Sequence, residues 1–438
     1  MKYILSIILF FLLAGSLFAQ NEQDQVIFKA MQDEMQRSKD QLMLPGMQKP
    51  YYLSYTLGRT RQFEVVGALG GITNFYESPW SAVGGVQMFL GDYDRNNDVN
   101  YACASIQAGM PEQADYDVIR RNFWLGSDVM YKWSLQAGAM KDAYLKANPK
   151  TAEEAAVKDQ QKVAAVTRIE EPKTAYTIDR AKLEGIVEEL SAIFKGYKDI
   201  YDSSVAITGQ EMEVYKSTTD GVVLKEPLRY ASLVVSAYVM TEDGVRIDDA
   251  YSVLVARPDD LPSLDELKKG VKVFADNLIK LKNAPAITEY YAGPVLLEDG
   301  ACSSVFISNF LKRGALFAYR KPDTDRAQSV KTLDARLGMK IVDNRVSIKN
   351  YSSLDKYNGV PLLGAYNIDA EGVVPAKEMT LVDHGIFKSM LNGCIPTLYA
   401  PQSTGSSRFL LSSSNGMFAT APGTIHIEVE KGTKPEKM

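Results

Sequence analysis

The sequence predicts an α+β protein of two domains, an α/β N-terminal domain built on a mixed sheet and a strand-rich C-terminal domain. Three observations carry that prediction. Apolar residues recur at helical spacing in four long stretches, all of them before residue 284. Segments rich in β-branched and aromatic residues, broken by glycines and turn signals, lie between those helices and dominate after them. The polar breaker Asn283-Ala284-Pro285 separates the two regimes. The expected boundaries are 1–19 for a signal peptide, 20–284 for the N-terminal domain and 285–438 for the C-terminal domain.

The N-terminus sets the compartment. Lys2 is followed by an apolar run from Tyr3 to Leu13, then the small residues Ala14-Gly15-Ser16, and Ala19 precedes Gln20. This is the pattern of a secretory signal cleaved after Ala19. The run is short of the ~20 apolar residues that span a bilayer, and no later segment is apolar enough to do so. An exported protein, periplasmic or extracellular, with no stable membrane anchor after cleavage, is the expectation.

Ile27, Met31, Met35 and Leu42 then mark a first helix closed by Pro45-Gly46. Short strands broken by Gly67, Gly70-Gly71 and Gly84-Gly85 fill 51–107. A second helix runs from about Tyr116 to Ala147. Residues 150–171, rich in Ala, Lys, Glu and Gln, read as a solvated helix or linker. A third helix spans Asp179 to Phe194, with Leu183, Ile186, Val187 and Leu190 on one face. Strands follow at Val205–Ile207, at Glu213–Lys216, and as a pair joined by a tight turn at Glu242-Asp243-Gly244. Ser263 and Glu266 form a capping box that opens a fourth helix reaching about Lys282. Beyond it, Tyr290 to Leu297 reads as a buried strand that turns into a helix after Gly300.

Composition excludes several classes. The 438 residues carry a net charge of −5, which gives no electrostatic footprint for nucleic acid. Three cysteines, Cys103, Cys302 and Cys394, are too few for a disulfide scaffold; at most one bridge can form, and three small buried hydrophobes is the plainer reading. Only two histidines occur, His384 in a hairpin turn and His426 in a strand, so multi-histidine metal sites and histidine bases are disfavoured. No G-x-S-x-G elbow, phosphate loop, dinucleotide fingerprint or paired C-x-x-C is present. Asp92 to Asp98 alternates acids as a calcium loop does. Its sixth position is Asn97 and its twelfth Cys103, however, so it reads as a solvated loop between strands. Glu298 and Cys302, four apart, share a helix face, but two donors do not make a metal site.

Several stretches carry a resemblance. They are Tyr290 to Phe306; Asn367 to Asn392, with Asp369, Glu371, Gly372, Pro375, Ala376, Gly385 and Lys388; and the Gly-rich loop Ser403 to Arg408. These, with Arg120 to Gln136, resemble the TldD/PmbA family of proposed zinc peptidases, most strongly over 290–408. Metal-competent members carry His-Glu-x-x-x-His where Glu298, Asp299 and Ser303 stand here, and a late cysteine ligand for which this chain offers no counterpart before Met438. Positions 298 and 303 would lie about 140° apart on a regular helix. The resemblance therefore implies no metal ligand and no cofactor in this chain, zinc being the cofactor of metal-competent relatives. It implies a C-terminal domain shorter than the relatives' own. It also implies a non-catalytic, PmbA-type subunit that binds peptides or unfolded segments, as a homodimer or a heterodimer with a TldD-type subunit. Asp369, Glu371, Gly372, Gly405 and Arg408 are the substrate-binding candidates it suggests. An active metallopeptidase with an atypical site and a stand-alone peptide-binding protein are the alternatives.

Overall fold

The structure, a computed structural model, describes residues 22–99, 103–106, 113–286, 289–311, 315–325, 333–410 and 418–433, with backbone alone for 103–106 and Asp299. The expected signal peptide lies outside the described residues, as does the side chain of Cys103.

The chain is α+β. Helix α1 (Glu22–Gln41) buries Ile27, Phe28, Met31 and Met35 on one face. Three strands follow: β1 (Pro50–Ala68), β2 (Gly71–Glu77) and β3 (Ser81–Leu90). After β4 (Cys103–Ile106) comes the long α2 (Tyr116–Ala147), opened by the Asp115 side chain accepting from the Val118 amide. A single turn, α3 (Ala152–Ala155), leads to β5 (Val166–Ile169) and then α4 (Arg180–Ser191). Strands β6 (Ile200–Thr218), β7 (Val222–Met240) and β8 (Arg246–Val255) precede α5 (Leu264–Lys282), which opens on the Ser263–Glu266 capping box read from sequence.

These strands form one eight-stranded sheet in the order β4-β3-β1-β6-β7-β5, with β2 on β1 and β8 on β7. It is mixed: β5 runs parallel to β7 and the other pairs are antiparallel. One face is covered by helices. Tyr55, Leu57, Met88 and Tyr215 pack under α1 and α2. Val205, Ile207, Leu233 and Val235 pack under α4 and α5. Of the short strands expected within 51–107 and at 205–207 and 213–216, β1 and β6 are continuous over 19 residues; Gly67 and Gly84-Gly85 lie inside strands, while Gly70-Gly71 does turn the chain between β1 and β2. Gly209 lies inside β6: a Cβ there would sit 2.2 Å from the Tyr176 hydroxyl and 2.4 Å from the Phe63 ring, so the glycine admits a crossing aromatic.

After α5 the chain becomes irregular. Tyr290 to Leu297 is not the expected buried strand. It is irregular, exposed (Tyr290 at 95%) and without a strand partner among the described residues. Helix α6 (Asp299–Phe306) follows, then one π-helical turn (Ile307–Leu311). Its C-terminal end is anchored by Phe306 and Phe310 on a second core of Leu316, Ile348, Leu381, Phe387 and Leu391. That core backs a four-stranded antiparallel sheet made of β9 (Val346–Tyr351), β12 (Glu378–Asp383), β13 (Ile386–Phe387) and β16 (Thr424–Val429), with two-residue strands β10 (Lys356–Tyr357) and β11 (Val360–Pro361) beside it. Strands β14 (Ser407–Phe409) and β15 (Phe418–Thr420) pair with each other and bring Phe409 against Met212 and Val214 of the large sheet.

Residues 150–171 are mostly exposed, as expected, but Asp159 and Gln160 are buried. Beyond α3 they form a strap between the two halves. The Gln160 amide donates to the Tyr93 carbonyl at 3.0 Å and the Gln161 amide to the Cys394 carbonyl at 2.9 Å. The Ser403 amide donates to Gln161 Oε1 at 2.6 Å. Asp159 is buried and accepts from Lys141 Nζ of α2 at 2.6 Å and from the Arg320 guanidinium.

Candidate peptide-binding cleft

Where the C-terminal loops meet the open face of the large sheet they leave a cleft of about 940 Å³. Its floor is β7. On one side β7 is paired with β6 along almost its whole length. On the other, β5 covers Val222 to Lys225 and β8 covers Ala231 to Met240. Glu226, Pro227, Leu228, Arg229 and Tyr230 have no strand partner on that side among the described residues, and all five line the cleft. The opposite wall comes from the C-terminal part: Leu362, Leu363, Tyr366 and Arg408.

Arg408 is held rigidly. Its guanidinium lies 3.8 Å from the Tyr366 ring centroid and donates to the Gly364 carbonyl at 2.9 Å. The Tyr366 hydroxyl donates to the Gly405 carbonyl at 2.7 Å. Glu226 faces Arg408 at 3.9 Å, beyond hydrogen-bond distance. Burial pushes the Glu226 carboxyl up to about 7, with Glu170 and Asp369 adding to the rise and Arg408 opposing it.

Behind this wall lie the other expected substrate-binding residues. Asp369 Oδ1 accepts from the Glu371 and Val373 amides, both at 2.9 Å, and Oδ2 from the Ser407 amide at 3.0 Å. Glu371 Oε2 accepts from the Cys394 amide at 2.7 Å and from the Ser407 hydroxyl. Burial first, then the Glu371 charge, raise the Asp369 carboxyl above the ordinary carboxylate range against the pull of its three amide donors. Gly372 (φ +90°) turns the chain where a Cβ would meet Val222 at 2.8 Å, and Gly405 (φ +68°) where one would meet Pro375 at 2.9 Å. The structure thus brings Asp369, Glu371, Gly372, Gly405 and Arg408 into one cluster. Among these five, Arg408 lines the cleft; Asp369 is buried and organises the loop behind it.

The junction lies elsewhere, and its donors do not suit zinc. Glu298 caps α6 without a side-chain hydrogen bond, Ser303 Oγ donates to the Gly300 carbonyl at 3.0 Å, and Cys302 is exposed rather than buried. Asp299 contributes backbone alone to the description. Zinc prefers nitrogen and thiolate donors held in a tetrahedron. Among the described residues no three histidine, cysteine, aspartate or glutamate side chains converge for a metal. His384, at the turn between β12 and β13, sits between Asp383 (2.7 Å) and Glu430 (3.0 Å), which raise its pKa; His426 packs on Tyr351 and Tyr357. Cys394 is buried beside Glu371 and Asp369; burial first, then those carboxylates, raises its thiol pKa well above the ordinary value, which leaves it a poor nucleophile. Among the described residues no helix is long and apolar enough to cross a membrane.

The calcium-like loop is also accounted for. Asp92 Oδ1 accepts from the Asp94 and Arg95 amides, Asp94 pairs with Lys158 at 2.8 Å, and Lys141 Nζ donates to the Asn96 and Asp98 carbonyls, so donors of the chain itself occupy oxygens of the loop.

This arrangement of a large mixed sheet under helices, joined to a smaller strand-rich part, recurs in solved structures. A proposed modulator of a DNA gyrase from Thermotoga maritima superposes with a TM-score of 0.55 at 14% identity, over 87% of this chain and 74% of that one. The fold is of the TldD/PmbA type. TldE from Thermococcus kodakarensis shares it (TM-score 0.51, 13% identity, 92% of this chain and 78% of that one). So does a proposed modulator of DNA gyrase from Bacteroides thetaiotaomicron (0.53, 12%, 93% and 78%). No family model matches the chain, and no curated protein matches it in sequence. At these identities the TldD/PmbA likeness is one of architecture, and the chemistry has to be read from the residues themselves.

Sequence reasoning missed Glu226, Leu228, Tyr366 and the gap in β7. One signal could have found the gap. Pro227 interrupts a long strand pattern, and a proline in a ladder marks a place where an amide is not called on to pair.

Proposed function

We propose that this chain is an exported, non-catalytic subunit of TldD/PmbA type that binds extended polypeptide in the cleft over β7. The observation that carries the reading is the interruption of pairing at Glu226 to Tyr230 on the floor of the cleft. A strand added there would continue the lines of β5 and β8 and bond through its backbone, which makes selection by side chain weak. Leu228, Leu362 and Leu363 give the cleft apolar contact; Arg408 gives it a fixed positive charge, and Glu226 a carboxyl that titrates near neutrality. The junction at Glu298 and Ser303 supplies no nitrogen or thiolate set, so hydrolysis would belong to a metal-competent partner.

The test is fluorescence anisotropy with a labelled, reduced and carboxymethylated polypeptide. The wild-type chain is expected to bind it saturably. Leu228→Arg and Leu363→Asp, which place charge in the apolar part of the cleft, should each weaken binding by about tenfold or more, roughly 1.4 kcal/mol. Binding left intact by both substitutions, or no binding by the folded wild type, would rule out the cleft as a peptide site.

A further inference from the structure

The cleft over β7 carries several charged side chains, and three of its cations are already committed. Arg168 pairs with Glu170 at 3.1 Å, Lys225 with Asp24 and Glu171 at 2.8 Å each, and Arg229 with Glu211. Arg408 is different. A guanidinium has five N–H donors, and among the described residues Arg408 uses one of them in a hydrogen bond, to the Gly364 carbonyl. Its ion-pair partner among the described residues is Glu226, at 3.9 Å, and burial favours the uncharged form of that carboxyl. The Arg408 side chain is 15% exposed and is fixed against the Tyr366 ring, so it loses little further freedom when a ligand arrives. A guanidinium held this way, with donors still open, suits a carboxylate, whose two oxygens match its fork.

We infer that polypeptide bound in this cleft is anchored by a carboxylate that docks on Arg408. Such an anchor presupposes that the cleft binds extended polypeptide, and it adds the chemistry by which one polypeptide is preferred over another. Strand alternation sets the direction. Glu226 and Leu228 lie on one face of β7, where Leu228 packs with Ala370 and Phe409. Lys225 and Arg229 lie on the other, toward Asp24 of α1 and Glu211. A strand added beside Glu226 to Tyr230 runs ~4.8 Å from β7 and turns every second side chain toward the Arg408 face. The unpaired stretch, Glu226 to Tyr230, is roughly 17 Å of strand, long enough for an internal segment or a chain end. The carboxylate is then that of an acidic side chain or of a C-terminus. The chain's own net charge of −5 opposes an acidic ligand at long range, so a preference for one has to come from a local contact.

Fluorescence anisotropy at pH 8 with three short peptides, labelled at the N-terminus with the same dye, tests this. One repeats Glu-Thr-Leu-Thr and ends in an amide. The second repeats Gln-Thr-Leu-Thr and ends in an amide. The third is the glutamine peptide with a free C-terminal carboxylate. The wild-type chain should bind a carboxylate-bearing peptide about tenfold more tightly than the amidated glutamine peptide. Tighter binding of the glutamate peptide assigns the anchor to a side chain; tighter binding of the third assigns it to a chain end. Arg408→Gln should abolish the preference and leave the amidated glutamine peptide bound as before, with an unchanged circular dichroism spectrum. Glu226→Gln removes the carboxylate that competes for Arg408 at this pH, so it should strengthen the preferred peptide by about threefold and leave the amidated glutamine peptide unaffected. Equal binding of all three peptides, or a preference that survives Arg408→Gln, overturns the carboxylate anchor and leaves the peptide-binding cleft standing. Binding of none of them by the folded wild type overturns both. If Arg408→Gln does not fold, a preference unchanged by Glu226→Gln overturns the anchor by itself.

Discussion

Lys141 is buried, 4% exposed at its side chain, and its ammonium is shared by two backbone carbonyls and Asp159. Removing it leaves the buried Asp159 with Arg320 and the Asn96 amide as partners and takes a donor from the Asn96 and Asp98 carbonyls. Lys141→Met should therefore destabilise the protein by about 3 kcal/mol, measured by urea unfolding, because breaking one side of a buried pair strands the other. Calcium added at millimolar concentration should leave the wild-type melting temperature unchanged. Glu226 makes a different prediction. Burial raises its folded pKa to about 7, above the ordinary carboxyl value. The folded state therefore holds its proton more tightly than the unfolded one. The resulting stabilisation is fully present below the unfolded pKa and is lost as pH rises toward 7. Glu226→Gln should raise the melting temperature relative to wild type at pH 8 and change it little at pH 4. An equal shift at both pH values would mean that the carboxyl is solvated in the folded state.

At the scale of elements, local chemistry was legible wherever one segment satisfied itself. The Ser263–Glu266 box opens α5, and the apolar spacing of α2 gives its full extent, because caps and faces depend on neighbours in sequence. The His384-Gly385 turn, with φ of +46° and +80°, was legible for the same reason. Tyr290 to Leu297 was not. Its continuous apolar run reads as a buried strand, yet no described strand offers it a ladder, and a strand needs a partner that a local pattern cannot name. The role of Gly209 was not legible either, since the reason for its missing side chain is Tyr176, 33 residues earlier. Gly209→Ala should cost about 1–3 kcal/mol by forcing Tyr176 and Phe63 apart. A substitution neutral within 0.5 kcal/mol in thermal unfolding would show that the aromatic pair relaxes freely.

For the whole molecule, what the sequence concealed is how the halves are joined. Asp159, Gln160 and Gln161 look solvated because they are polar, and their partners lie far away in sequence: Tyr51, Lys141, Arg320, Cys394 and Ser403. The cleft was half legible. Asp369, Glu371, Gly372, Gly405 and Arg408 could be picked out, but β7 enters from the other half of the chain, and pairing left undone is a property of a sheet rather than of a segment. Arg320, which donates to the Lys158 carbonyl and to Asp159, should act at this scale. Arg320→Ala is expected to split the single calorimetric transition into two, the C-terminal part melting first. One cooperative transition in that variant would mean that the sheet contacts of Phe409 suffice to couple the halves.

The tethered ammonium of Lys141 has a bearing on where such a protein can work. A joint closed by a bound ion is only as firm as the supply of that ion, and it opens in the presence of any stronger chelator. Here the positive charge is part of the chain and cannot be diluted, stripped or exchanged. The connection between sheet and strap should thus be indifferent to the mineral content of its surroundings.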